Sequence, residues 1–149
     1  MSQISISAQG DIASPADRVY RILADYEQHH PHILPPAFSG FTVEKGGVGA
    51  GTVIRFRVSL AGRTESYHQR VEEPEPGRVL REVDIEGDRA TTFTVTPAGA
   101  GCHVRIETTW RGKGIRGLVE RLVAPRLLRP LYTVELARLD RYARERGDA

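Results

Sequence analysis

Gly46 to Thr52 reads GGVGAGT, with four glycines in the first six residues. A run this rich in glycine either cradles a phosphate or turns the chain sharply, and the two alternatives imply different folds. A dinucleotide fingerprint or a P-loop needs its last glycines to open a helix whose N-terminal amides hold the phosphate, and a P-loop also needs a lysine there. The flanks here are FTVEK and TVIRF, two strand-like runs, with no helical segment behind them and no such lysine. The phosphate reading fails on context. The glycines instead make a hairpin connection that needs positive φ, or backbone freedom beside a ligand.

A hairpin at this point makes the neighbouring sheet antiparallel, and the rest of the chain agrees. Alternating runs follow one another as GFTVEK, TVIRFRVSL, TESYHQRVEE, RVLREVDIE, TTFTVTP and CHVRIETTWRG, and the first segment, QISISAQGDI, alternates Ile4 and Ile6 with Ser5 and Ser7. Together they give about seven strands, joined by turns such as AGR, EPEPG, EGDR and AGAG that are too short for crossover helices.

Three segments stand outside this pattern. In SPADRVYRILADY, Ser14 can cap a helix, Pro15 suits its first position, Asp17 favours its positive end, and Val19, Ile22, Leu23 and Tyr26 share a face. EQHHPHILPPAF carries three prolines and reads as a broken short helix or loop. The last segment, GLVERLVAPRLLRPLYTVELARLDRYARERG, is helical but interrupted by Pro125 and Pro130. A short helix through Val123 should kink or break there, and a long one should continue to Arg146. On that helix Leu128, Leu131, Tyr132, Leu136, Leu139, Tyr142 and Ala143 form one apolar stripe, with Arg129, Thr133, Asp140, Arg141 and Arg144 opposite. The expected architecture is a single α+β domain over residues 1–149: a curved antiparallel sheet of about seven strands around a long C-terminal helix, with two short helices after the first strand. One helix cannot fill a strongly curved sheet, so a cavity between them is expected.

Composition removes several function classes. The formal charge is only +2, with 40% apolar and 27% charged residues. Arginines alternate with acids, as in RVEEPEPGR and REVDIEGDR, instead of gathering on one face with aromatics between them, so a nucleic-acid partner is not expected. Cys102 is the only cysteine, which excludes an internal disulfide and a cysteine-based metal site. The start MSQISISAQG has no basic and apolar leader, and no apolar run reaches membrane-spanning length, so a cytoplasmic protein is expected.

The segments ISISAQGDIASPADRVYRILADYEQHHPHILP, GGVGAGTVIRF, RVEEPEPGRVL and LVERLVAPRLLRPLY together resemble the START-like helix-grip (SRPBCC) superfamily, in particular its bacterial polyketide cyclase/dehydrase and lipid-transport branch. The resemblance covers essentially the whole chain. It implies a deep, mostly apolar pocket between the sheet and the C-terminal helix that binds lipids, hormones or polyketides, with only some members being enzymes. It also implies that the glycine hairpin borders the pocket.

Placing the apolar parity of each strand inward turns Ile54, Phe56, Val58 and Leu60 toward the pocket, then Tyr67, Gln69 and Val71, then Val79, Arg81, Val83 and Ile85, then Thr91, Phe93 and Val95, and finally Val104, Ile106, Thr108 and Trp110. From these, Phe56, Val58, Tyr67, Gln69, Arg81, Val83, Phe93, Val95, Ile106, Thr108 and Trp110 are the expected ligand contacts. Leu128, Leu131, Tyr132, Glu135 and Leu139 join them from the helix. Glu135 falls within the apolar stripe, where desolvation should raise its pKa unless a cation meets it, and Arg81 is the expected partner. Glu135 either pairs with Arg81, structurally or to orient a ligand, or acts as a general acid/base, or reaches solvent on a rotated helix. His29, His30 and His32 invite a metal, but Pro31 interrupts them and no cysteine or carboxylate pair completes a ligand set, so neither metal nor cofactor is expected. His29 and His32 remain candidates for proton transfer at a pocket mouth, against a solvated loop. The sequence therefore supports two functions: a binding protein for a small hydrophobic molecule, or a cyclase/dehydratase using Glu135 or a mouth histidine. Leu118, Leu122 and Val123 are read as covering the pocket or packing on the sheet, in preference to docking the basic segment on an anionic membrane. A homodimer through an exposed strand edge is left open.

Overall fold

The computed structural model describes residues 3–146. Its elements are β1 (Gln3–Ile12), α1 (Ala16–Ala24), a 3₁₀ turn (His30–Ile33), β2 (Phe38–Lys45), β3 (Val53–Leu60), β4 (Arg63–Glu75), β5 (Val79–Asp84), β6 (Ala90–Ala98), β7 (Gly101–Arg111) and α2 (Gly114–Glu145). The sheet order is β1-β7-β6-β5-β4-β3-β2, and every neighbouring pair is antiparallel. Strands β2 to β7 form an uninterrupted meander, and β1 returns beside β7, as the short turns require. This is the helix-grip architecture: a curved seven-stranded sheet closed by one long helix.

The apolar stripe decides how α2 sits. Leu131, Tyr132, Leu136, Leu139 and Ala143 are all buried and share one core with Ile4, Ile6, Val104 and Ile106. Removing a side chain such as Leu139 from water stabilises the fold by roughly 1.5–3 kcal/mol. The helix also guards the β1 edge: Arg129 Nε donates to the Ser7 carbonyl at 3.3 Å, and the Ala13 amide donates to Asp140 Oδ1 at 2.9 Å.

Two local expectations are corrected. The C-terminal segment is one continuous helix of 32 residues that carries Pro125 and Pro130 inside it. Each proline forfeits one intrahelical hydrogen bond, and Pro130 is itself exposed, as is Arg126, whose orphaned carbonyl water can satisfy. At α1, Pro15 rather than Ser14 occupies the N-cap and no side chain caps the helix; Ser14 is buried one position earlier.

The glycine hairpin connects β2 and β3 as its flanks dictate. Gly46, Gly49 and Gly51 have φ of 65°, 72° and 92°, a region open to glycine and strained for other residues. Its polar groups are used up locally. The Gly49 amide donates to the Ala24 carbonyl at 2.9 Å, the Tyr26 amide to the Gly47 carbonyl at 2.8 Å, and the Ala50 amide to Glu73 Oε1 at 2.8 Å. The loop thus clamps the end of α1 to the sheet. Contrary to the expectation from resemblance, none of its residues lines the cavity described next.

Candidate functional site: a two-ended cavity under the C-terminal helix

Between the concave face of the sheet and α2 lies a cavity of about 350 Å³. Its walls are mostly apolar and aromatic, with Phe56, Phe93, Trp110 and Leu131 among them, and its polar groups collect at two ends. At the open end, the β3–β4 hairpin faces the N-terminal half of α2. Leu60 and Tyr67 are half-buried there, Arg63 and Glu65 are exposed, and Val119 and Val123 are 52% and 41% exposed. At the other end Ile54, Gln69, Glu82, Phe93 and Glu135 are all buried, together with His30.

The open end is organised by Arg89. Its Nη1 donates to the Tyr67 hydroxyl at 2.7 Å, and its guanidinium lies 5.3 Å from the Tyr67 ring centre and 4.6 Å from that of Trp110. Such cation–π contacts contribute about 0.5–2 kcal/mol according to solvation. Trp110 Nε1 donates to Glu120 Oε1 of α2 at 3.1 Å, and a hydroxyl chain runs along the wall, Thr91 to Thr108 at 2.8 Å and Thr108 to Tyr132 at 2.5 Å.

The buried end is organised by acids. The Tyr26 hydroxyl donates to Glu82 Oε2 at 2.7 Å, and His30 Nε2 lies 3.7 Å from the same oxygen. His30 Nδ1 is 2.7 Å from the Leu23 carbonyl, which can only accept, so Nδ1 carries the proton and Nε2 presents a lone pair. Burial depresses the His30 pKa to about 4, so at neutral pH His30 and Glu82 do not form an ion pair despite their proximity. Burial pushes the Glu82 carboxyl up to about 7, partly offset by the Tyr26 hydrogen bond, and burial with the nearby Glu82 charge pushes Glu135 up to about 8. Among the described residues no hydrogen bond or ion pair reaches the Glu135 carboxyl. Gln69 Nε2 donates to Asp84 Oδ1 at 2.8 Å, which turns the amide so that its buried Oε1 has no partner.

Most of the sequence-derived contact set converges here. Phe56, Val58, Tyr67, Gln69, Phe93, Thr108, Trp110, Leu128, Leu131, Tyr132 and Glu135 line the cavity. Val95, Ile106 and Leu139 face inward but pack in the core away from the cavity. Arg81 and Val83 are corrections. The register Leu80↔Phe93 and Glu82↔Thr91 makes Leu80 and Glu82 the inward residues of β5, and a one-residue change of phase sends Arg81 and Val83 to the opposite face. Arg81 there donates to Thr92 Oγ1 at 3.3 Å, so the expected Arg81–Glu135 pair is replaced by two acids facing one cavity.

The histidines are also reassigned. His29 Nδ1 lies 2.7 Å from the Tyr142 hydroxyl and His32 stacks on the Tyr142 ring, so both brace the C-terminal part of α2 outside the cavity, while His30 lines it. Sequence reasoning missed Glu82, His30 and Arg89 as lining groups. For Glu82 and His30 the signal was masked, since a glutamate near Arg81 and Asp84 in a strand of mixed pattern and a histidine within a cluster both read as surface features. Leu118 and Leu122 do not cover the pocket; they are 61% and 66% exposed.

A family model described as polyketide cyclase/dehydrase and lipid transport matches residues 3–144. Among solved structures, the chain is similar to the KanY protein, with 30% identity over 97% of this chain and 99% of that one and a TM-score of 0.85. The ZhuI aromatase/cyclase of Streptomyces sp. R1128 shares 18% identity over 99% and 98% of the two chains, with a TM-score of 0.76. Norcoclaurine synthase of Thalictrum flavum also shares 18% identity, over 99% and 98%, with a TM-score of 0.75. These last two show likeness of fold alone. No curated protein matches the chain in sequence. With its helix-grip fold, its cavity beneath α2 and a family match running from β1 almost to the end of α2, the chain belongs to the polyketide cyclase/dehydrase and lipid-transport family.

Proposed function

We propose that this protein binds a small, largely apolar molecule in the cavity between the sheet and α2, the walls supplying affinity and the two polar ends fixing orientation. The observation that carries this reading is the cavity itself, about 350 Å³ of mostly apolar wall with polar groups confined to its ends. Phe56, Phe93, Trp110 and Leu131 hold the body of the ligand, and Arg89 with Tyr67 meets its outer end. Mass spectrometry of molecules released on denaturing protein purified from its native host tests the reading, with Phe56→Trp as a partly filled cavity. A single apolar species enriched in the wild type and depleted in the variant is the expected outcome; the same species at equal level in both would count against the cavity as its site.

A second reading, a cyclase or dehydratase, is favoured by the raised pKa of Glu135. Near neutrality a carboxyl titrating at about 8 is largely protonated, so it can donate to a ligand oxygen, and His30 Nε2, which lines the same cavity, can accept a proton. Glu135→Gln should leave binding of an apolar ligand intact under both readings and abolish turnover only under this one. Membrane contact rests on a separate feature, the exposed Ile115, Leu118 and Leu122 beside Lys113, Arg116 and Arg126. Sedimentation with anionic liposomes at low salt tests it, and failure to pellet would remove it.

A further inference from the structure

With Glu82 and Glu135 ionised, the buried end of the cavity is rich in hydrogen-bond acceptors and short of donors. Among the described residues no hydrogen bond or ion pair reaches the Glu135 carboxyl, the buried Gln69 Oε1 has no partner, and His30 presents Nε2 as a lone pair because Nδ1–H is spent on the Leu23 carbonyl. The Tyr26 proton is committed to Glu82, leaving that carboxyl's second oxygen as a further acceptor. The arginines of the lining, Arg63, Arg89 and Arg116, belong to exposed or half-buried positions at the open end, and among the described residues no cation offsets the burial of Glu135. Buried acceptors without donors, and buried carboxyls without a counter-charge, are costly arrangements. A bound group that brings several N–H donors and a positive charge satisfies both needs at once.

We propose that the buried end takes a protonated amine, with the ammonium group seated between Glu135, Glu82 and the Gln69 carbonyl and the apolar body of the ligand lying against Phe56, Phe93 and Leu131. The proposal rests on the cavity being a ligand site and narrows the ligand class to amines with an aromatic or aliphatic body. Once both carboxyls ionise, like charge and the lack of donors turn a carboxylate or phosphate head away from this end and toward Arg89.

The titratable and charged groups around the two carboxyls are Tyr26 after α1, His30 in the 3₁₀ turn, Gln69-bound Asp84 of β5, and Tyr132 on α2. The tyrosines stay protonated, with pKa values raised well above the usual phenol range, and His30 stays neutral above about 4. The pH dependence of amine binding therefore belongs to Glu82 and Glu135. Ionised carboxyls pair with the ammonium group, so affinity should rise as pH climbs through about 7 and about 8, until the amine itself deprotonates.

Displacement of the apolar dye Nile red by 2-naphthylethylamine, by the matched alcohol and by the matched carboxylate tests the assignment on the intact chain. The amine should displace the dye at least about tenfold more strongly than the alcohol, a preference that grows with pH and that the alcohol lacks. Glu135→Gln should bring the amine close to the alcohol while dye binding persists, which also shows that the variant is folded. Gln69→Leu should reduce the preference in the same sense without changing either carboxyl. Dye binding with the alcohol or carboxylate equal to the amine would overturn the amine assignment and leave the cavity standing as an apolar site. No dye binding by the wild type would overturn both.

Discussion

The two halves of α2 are built from similar letters and meet opposite fates. In the second half the stripe Leu131, Tyr132, Leu136, Leu139 and Ala143 is buried against the sheet, whereas Ile115, Leu118, Leu122 and Val123 in the first half remain 41% to 83% exposed. The difference lies in what faces them. The second half crosses β1 and the body of the sheet, which supply a continuous apolar surface; the first half spans the open end of the cavity, where there is no floor to pack on. Apolar pattern alone therefore does not assign burial. The same contrast runs down the cavity, from the arginine-organised mouth to the acid-organised interior.

Leu139→Ala should test the packed half most severely. Leu139 is 1% exposed, and truncation should cost about 3–4 kcal/mol by urea denaturation, reflecting lost transfer energy and the hole left behind. A loss below about 1 kcal/mol would mean that the sheet collapses around the helix and that the two halves differ less than their burial suggests.

Glu135→Gln should move stability in the other direction. In the unfolded chain Glu135 and Glu82 ionise near 4.5, whereas in the fold they hold their protons to about 8 and about 7. Between those values the folded state binds more protons, so stability falls as pH rises from 4.5 toward 8. His30 acts oppositely: its folded pKa of about 4 lies below 6.5, so stability is lost as pH falls through that interval. The wild type should be most stable in mildly acid solution. Glu135→Gln should flatten the decline toward alkaline pH and gain roughly 2 kcal/mol above neutrality, as read from thermal melts across pH. An unchanged pH profile would place Glu135 in contact with water rather than at a dry end.

Gly49→Ala probes the clamp between the glycine loop and α1. An added methyl would meet the Glu73 carboxylate at 2.5 Å and would hold a residue at φ of 72°, so a loss of about 1–2 kcal/mol is expected by chemical denaturation. The smallest effect belongs to the open end: Leu122→Ala should change stability by no more than about 0.5 kcal/mol, because the side chain packs on little. A larger loss would show that the first half of α2 is covered in solution.

Several elements were legible from residue order alone. The glycine run between two strand patterns led to an antiparallel meander, and the Leu131–Ala143 stripe identified the buried face of the closing helix, because both depend on local periodicity and backbone conformation. That same stripe placed Glu135 inside. The phase of β5 was not legible. Val79, Val83 and Ile85 outvote Leu80 as an apolar set, yet the pairing of Leu80 with Phe93 puts Leu80 and Glu82 inward. Strand phase is fixed by hydrogen-bonded register with neighbouring strands, which one strand's composition does not contain. The sequence by itself determined that a curved antiparallel sheet grips a helix carrying one buried acid. Only the tertiary structure decided that this acid faces Glu82 and His30 rather than Arg81, because the residues sharing a cavity wall come from elements far apart in the chain.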